Sequence, residues 1–293
     1  MKIVVATLAL AALCAACAAK PAAQAEAAAP AAAAAPAADE AIAAVVAASW
    51  RSAEARARDQ YRHPAESLAF WGLKPGMRIV EINPGSGSWW TPMLAAYAHK
   101  TGGSYVAGYA DLADPKATDA ARKARADFLA EYADENTYGA VSAVDFGVHS
   151  GLALPDASAD FVLVARAFHN WARQGLTERY MKEFARVLKP GGVLAVEQHR
   201  AAEGAVVAVS APTGYVPESY IVAKAQRAGL TLGARSEVNA NPKDDRDHPF
   251  GVWTLPPSRA TAPPGKPADP KFDRTPYDAI GESDRMTLRF VKP

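Results

Sequence analysis

Two histidines stand where apolar runs give way to polar residues, His169 in "DFVLVARAFHNW" and His199 in "GVLAVEQHRA". An imidazole titrates near neutrality and is the commonest side chain to take a proton in catalysis, so His169 is the first choice of general base and His199 the second; ordering a loop is the alternative role for His169. A third stretch, "IVEINPGSGSWW", ends an apolar run at Ile82 and then carries Gly85 and Gly87. A strand that enters a glycine turn and continues into a helix receives anions or nucleotides, because glycine lets the backbone approach a ligand and the helix start offers free N–H groups. Spacing narrows the choice. A dinucleotide fingerprint needs a third glycine where this chain has Trp90, and a phosphate P-loop needs a Gly-Lys-Ser/Thr ending that is missing.

Other residues could serve such a site, and Arg166, Asn170 and Trp171 are expected on its substrate side. Arg166 falls inside an apolar run, where a buried arginine needs a partner, and Glu81 or Glu197 could supply it; a solvated strand end is the alternative. Asn170 could orient a polar group of a substrate or cap the following helix. Trp171, with Trp71, Trp89 and Trp90, could present an aromatic face to a cation, or simply pack helix against sheet. Arg58, Asp59 and Arg62 could clamp an anionic group or cover a cofactor, although a solvated helix face with local ion pairs is the commoner arrangement. "NPKDDRDHPF" collects Asp244, Asp245, Asp247 and His248 without the spaced ligands and glycine of a calcium loop. Its alternating charge predicts a solvated surface, and no metal is expected.

The elements that must hold these residues alternate. Strands are expected at Arg78–Ile82, Tyr105–Tyr109, Tyr138–Phe146, Asp160–Phe168, Gly192–His199, Thr231–Val238 and Met286–Val291, the last two as a hairpin. Helices are expected between them at Ser88–His99, Asp114–Glu135, Thr177–Leu188 and Pro217–Ala228, after a helical stretch at 49–71 that Pro64 splits. Alternation argues for a parallel sheet with helices on both faces, and right-handed crossovers put the loops after each strand on one edge. That edge gathers residues 81–87, Asp111, Ser150, His169 and His199.

The run Glu81-Ile82-Asn83-Pro84-Gly85-Ser86-Gly87 resembles the first motif of class I S-adenosylmethionine (SAM) dependent methyltransferases. "LKPGG" at 188–192 and "LALPDASADFVLV" at 152–164 are similar to later segments of that family. "RDQYRHPAESLAFWGLKPGM", "PGSGSWWT", "RAFHNW", "EQHRA" and "SDRMTLRFVKP" resemble more particularly a bacterial group of predicted, often exported, methyltransferases. The resemblance covers roughly residues 50–240 and 281–293. It implies an α/β, Rossmann-like fold of seven mostly parallel strands with helices on both faces. It also implies SAM as cofactor and methyl transfer to a small or medium-sized acceptor. Carried over residue by residue, it puts Glu81, Asn83, Gly85 and Gly87 at the methionine part of the cofactor, Asp111 at the ribose and Ser150 at the adenine. The chain departs from the pattern at Asn83, usually glycine; at Ala110, usually the acidic residue that Asp111 here supplies one position later; and at Ser150, usually aspartate.

Composition bounds the rest. With 293 residues, 50% hydrophobic, and 32 basic against 31 acidic residues, the chain can bury one sizeable core and lacks the basic bias of a nucleic-acid binder. Lys2, the apolar run Ile3–Leu13 and small residues to Ala19 read as a signal peptide over 1–19, which predicts an exported, periplasmic protein. Both cysteines, Cys14 and Cys17, lie there. "LCAAC" resembles a lipoprotein signal, leaving a membrane tether through lipidated Cys17 and simple cleavage as alternatives. Residues 20–48 read as an Ala/Pro-rich linker and 49–293 as the folded domain. Within it, 241–284 holds nine prolines and no period, which suggests an irregular insert, either ordered over the binding edge or floppy. Nothing in the sequence fixes an oligomeric state. Export, together with the altered ribose and adenine positions, keeps a second function open: a non-catalytic binding or scaffold protein that retains the fold.

Overall fold

The computed structural model describes residues 40–85 and 87–293. The signal peptide, most of the linker and Cys17 lie outside the described residues, so the expectations placed on them are not addressed by it.

Among the described residues nine strands form: β1 (Arg78–Ile82), β2 (Ser104–Ala110), β3 (Ser142–Gly147), β4 (Gly151–Leu152), β5 (Ala159–Ala165), β6 (Leu188–His199), β7 (Thr231–Ser236), β8 (Pro249–Val252) and β9 (Arg285–Val291). All but β8 join one sheet in the order β4-β3-β2-β1-β5-β6-β9-β7. The five strands from β3 to β6 are parallel, while β4, β9 and β7 pair antiparallel with their neighbours.

Twelve α-helices accompany them among the described residues. The first four are α1 (Glu40–Val46), α2 (Ala53–Ala57), α3 (Asp59–Arg62) and α4 (Pro64–Trp71). Those between strands are α5 (Thr91–Lys100), α6 (Asp119–Glu131), α7 (Glu135–Tyr138), α8 (Phe168–Arg173), α9 (Thr177–Val187), α10 (Val207–Ser210), α11 (Glu218–Arg227) and α12 (Thr275–Ile280). The parallel strands β1 and β5 are buried on both faces, which explains their continuous apolar runs. One face packs Val80, Val162, Leu194 and Leu288 against Phe168, Phe184 and Ile221 from α8, α9 and α11. The other packs Ile79, Phe161 and Ala195 against Trp71, Trp90, Leu94 and Tyr97 from α4, α5 and the turn before α5.

The α/β architecture with helices on both faces is as expected, but the sheet has eight strands rather than seven. The extra strand is β4. Gly151 has φ 65°, and the chain doubles back there to pair Leu152 with Phe146. The fourth expected strand stops three residues early, at Ala165, because Arg166 takes φ 56° and turns the chain into α8. Tyr138 ends α7 instead of opening a strand, with Asp134 accepting from the Asn136 N–H at the start of that turn. The long second helix begins at Asp119, where the Thr118 hydroxyl accepts from Ala121 N–H. β7 and β9 pair antiparallel, but the whole insert separates them, so they are no tight hairpin. Glu40–Val46, inside the stretch read as linker, is helical because Ile42 and Val45 have a core to enter.

The insert 241–284 is irregular and tied down. Asn241 Nδ2 donates to the carbonyls of Ile280 and Glu282, and Arg274 donates to Thr254 O. Asp244 and His248 are buried, so the expected solvated surface is corrected at these two residues. The Asp244 carboxylate accepts from Tyr215 OH, from the backbone N–H groups of Arg246 and Asp284, and meets His248 Nε2 at 2.8 Å. Those contacts occupy its acceptor sites and account for Asp244 as a pin that holds the insert to β9.

Candidate functional site

The parallel strands end at one edge, and β9 begins there. Ile82 is level with Gly108 and Val164, Ala165 with Glu197, and His199 with Arg285. The glycine turn, Asp111, Arg166 and His199 lie at or directly after these strand ends.

The glycine turn is held open. Asn83, Gly85 and Gly87 all have positive φ, at 49°, 71° and 67°. Asn83 keeps one ladder bond, from its N–H to Gly108 O at 2.9 Å, and the Ser88 hydroxyl donates to Gly85 O at 2.6 Å. A Cβ added at Gly87 would meet nothing within 4 Å, and one at Gly85 only the Asn83 carbonyl at 3.9 Å. The turn therefore presents exposed backbone to free space. The indoles that follow it do not fill that space. Trp90 is buried, edge-on to both Trp71 and Trp89, and its Nε1–H donates to Glu197 at 2.9 Å. Trp89 Nε1–H donates to Ala55 O at 3.0 Å, and its ring carries the Arg62 guanidinium 4.9 Å from the centroid.

Glu81 faces inward rather than toward the turn. Its Oε2 accepts from Thr91 Oγ1 and Tyr105 OH, both at 2.7 Å. Burial pushes this carboxyl up to about 7, against those two hydrogen bonds. It clamps the first turn of α5 to β1 and β2, so it positions the glycine turn from below. Asp111 and Ser150, expected at ribose and adenine, bond each other: the Asp111 carboxylate accepts from Ser150 N–H at 2.8 Å and Oγ at 2.7 Å. Burial pushes the Asp111 carboxyl up, but these bonds outweigh it and hold the group below the usual range. A carboxylate has about four acceptor sites, so capacity for a ligand hydroxyl remains.

His169 and His199 come together at the ends of β5 and β6, with ring centroids 6.1 Å apart. Gln198 sits between them. Its Oε1 accepts from Phe168 N–H at 3.1 Å and its Nε2 donates to Gly214 O at 3.0 Å, which fixes the amide. The same Nε2 lies 3.4 Å from His169 Nδ1, a long contact in which the imidazole accepts. A neutral His169 then carries its proton on Nε2 and acts as a donor. His199 Nδ1 meets Ser283 Oγ at 2.6 Å. When Nδ1–H donates to that hydroxyl, Nε2 keeps a free lone pair. Burial lowers His169 to about 4, with Gln198 opposing. Burial, His169, Arg166, Arg285 and Arg62 push His199 well below its ordinary value. Both rings are neutral at pH 7.

Of the residues expected at the substrate, Arg166 reaches the site but not as foreseen. Its backbone N–H donates to Glu197 O at 2.7 Å, yet no carboxylate among the described residues lies within 4 Å of its guanidinium. Glu197 pairs with Arg285 Nη1 at 3.0 Å and Trp90 instead, and Glu81 with Thr91 and Tyr105. Asn170 is exposed on α8 and does not cap it, since Ala167 holds that position. Trp171 is corrected to a core residue: its ring packs on Phe146, Phe168, Tyr180 and Phe184 and is turned away from the edge.

Sequence reasoning missed Glu282 and Arg285. Glu282 accepts from Arg58 Nε at 2.6 Å, Arg62 Nε at 2.8 Å and Arg285 Nη1 at 2.8 Å. Burial pushes its carboxyl up, but Arg62, Arg285 and Arg58 hold it at about 2. The available signal was "GESDRM", three charges immediately before a strand. Arg62 is fully buried, which replaces the expected solvated helix face.

Residues 81–196 match a family described as "Methyltransferase domain". In fold, the chain is similar to a candidate sarcosine dimethylglycine methyltransferase from Galdieria sulphuraria, with 16% identity, a TM-score of 0.50, and coverage of 82% of this chain and 87% of that one. It is also similar to a SAM-dependent methyltransferase from Aquifex aeolicus, with 19% identity, a TM-score of 0.46, and coverage of 62% and 87%. No curated protein matches the chain by sequence. The family match implies S-adenosylmethionine as cofactor. The residues present fit that group: an open glycine turn at the start of α5, and a carboxylate at the end of β2.

Proposed function

We propose that this protein transfers the methyl group of S-adenosylmethionine to a hydroxyl or amine of a small or medium-sized acceptor. The cofactor, when bound, supplies an electrophilic methyl on a sulfonium. The rest falls to the chain. Asn83, Gly85 and Gly87 line the space at the glycine turn, and Asp111 with Ser150 marks the ribose and adenine end. His199 Nε2 takes the proton that the nucleophile loses as its bond to the methyl carbon forms and the carbon–sulfur bond breaks. His169, donating from Nε2, orients the acceptor. The sequence favoured His169 as base; its contact with Gln198 favours His199.

The observation that carries this reading is the neutral histidine pair, 6.1 Å apart, on the same sheet edge as the open glycine turn. A base must be unprotonated to act, and burial keeps both rings so. Calorimetry of the purified protein with SAM and with its demethylated product tests it. Binding of both with a defined stoichiometry is expected; absence of heat and of any thermal shift with either would remove the enzymatic reading.

The same reading includes export and a lipid tether at Cys17, supported by Lys2, the apolar run Ile3–Leu13 and the "LCAAC" stretch. Among the described residues no helix is long and apolar enough to cross a membrane. Intact mass of the protein recovered from membranes is expected to show acylation at Cys17; an unmodified N-terminus would refute the tether.

A further inference from the structure

Behind the glycine turn lies a group of charges that the methyl transfer above does not use. Arg58, Arg62, Arg166 and Arg285 surround Glu197 and Glu282, four cations against two anions. Arg62 and Arg285 are 0% and 1% exposed. Glu282 accepts from Arg58, Arg62 and Arg285, and Glu197 meets Arg285 at 3.0 Å. The pairing is nonetheless incomplete. Both terminal nitrogens of Arg62, Nη2 of Arg58, Nε of Arg166 and Nε of Arg285 are buried with no hydrogen-bond partner, five donors against one unfilled acceptor, Oε1 of Glu197.

Buried polar groups in folded proteins are nearly always bonded, and a buried guanidinium left short of acceptors is among the costliest exceptions. Two excess positive charges and a set of unfilled N–H donors are what a protein presents to an oxyanion, since the guanidinium fork matches carboxylate and phosphate oxygens. The position suits a substrate. Arg166 ends β5 in a left-handed turn, a strained conformation that clusters at functional sites. Arg58 borders a pocket of about 470 Å³ that also touches Gly87, Ser88 and Trp89. Arg285 sits in register with His199 across β6 and β9, and with Arg166 and Arg62 it disfavours protonation of that ring.

We propose that the methyl acceptor carries an oxyanion, a carboxylate or phosphate, received by the unfilled N–H groups of Arg62 and Arg166 beside His199. This rests on the methyltransferase reading, because it takes the neighbouring turn as the cofactor's place.

The test uses the whole protein. Acetate and inorganic phosphate are titrated separately against matched sodium chloride, by calorimetry and thermal shift, with and without saturating SAM. At least one anion is expected to bind above chloride, equally well with SAM present, and the stronger arm gives the class of group. Arg166→Gln removes a guanidinium that has no ion pair, so the fold is retained and anion affinity falls about tenfold. Arg58→Gln, at the partly exposed member, is expected to weaken it in the same direction. No binding beyond chloride, or unchanged affinity in both variants, overturns the proposal. So does displacement of the anion by SAM, which would give the pocket to the cofactor's own carboxylate. Anion binding without any SAM binding would instead sink the methyltransferase reading, and the acceptor assignment with it.

Discussion

Replacing Glu81 by Gln should change how stability depends on pH. The carboxyl is raised to about 7 in the folded protein, from an ordinary 4.5, by burial at the end of β1. Between those values the folded chain holds a proton that the unfolded chain has released. Stability therefore falls as pH rises through that window, and the part due to this one group is about 2.5 units at 1.36 kcal/mol each, or roughly 3 kcal/mol. Glutamine has no proton to lose, and its carbonyl oxygen can still accept from Thr91 and Tyr105. The stability of the variant minus that of the wild type should thus climb by about 3 kcal/mol between pH 4.5 and pH 8. His169 acts with the opposite sign, since its lowered value makes stability rise between about 4 and 6.5. It is common to both proteins and cancels in the difference. Urea unfolding at half-unit pH intervals measures the quantity directly. A difference that stays flat across the range would mean that Glu81 is ionised in the fold, and the inward clamp beneath the glycine turn would need another explanation.

Gly85→Ala should cost about 1–2 kcal/mol, because φ 71° is unfavourable for a side chain even where space is free; SAM affinity by calorimetry should fall with it, and an unchanged Kd would show that the turn does not touch the cofactor. Trp90→Phe removes the indole donor from buried Glu197 and should lower stability by at least about 1–3 kcal/mol in chemical denaturation. His199→Gln should reduce turnover about a hundredfold or more while leaving SAM affinity intact. In the wild type, kcat/KM should show no inflection near 6.5, since the ring is already neutral there, whereas the inflection in kcat should move upward once an anionic acceptor is bound.

The fold was largely legible because buried parallel strands announce themselves as continuous apolar runs, and "KPGM", "KPGG" and Gly229 punctuate the helices between them. What was misjudged had a local cause. The strand expected to reach Phe168 was cut short by a left-handed Arg166, a conformation that no arginine signals in advance. β4 is two residues long and exists only because β3 is there to pair with it. At the site, the glycine turn and the histidines were found because each closes a strand, and the topology does the rest. Trp171 was assigned to substrate from its neighbours in sequence, yet helical geometry turns it toward Phe184 and into the core. Glu282 escaped notice because its partners, Arg58 and Arg62, lie more than two hundred residues away in sequence, and Arg285 because it meets Glu197 only through the pairing of β6 with β9.

The arginines and the histidines belong to one electrostatic arrangement. A base has to be neutral before the reaction and cationic after it, and the surroundings here favour the first state strongly. Burial disfavours the imidazolium of His199, and Arg166, Arg285 and Arg62 disfavour it further. Left alone, such a ring would be too weak a base to serve at neutral pH. Glu197 and Glu282 do not relieve it, because Arg285, Arg58 and Arg62 already draw on them. An oxyanion on the acceptor would. One or two negative charges at the free N–H groups would cancel much of the excess, and the affinity of His199 for a proton would rise only in the complex that has a proton to give. The free enzyme would then keep its base dry and unprotonated, and the acceptor itself would bring the charge that lets the base work.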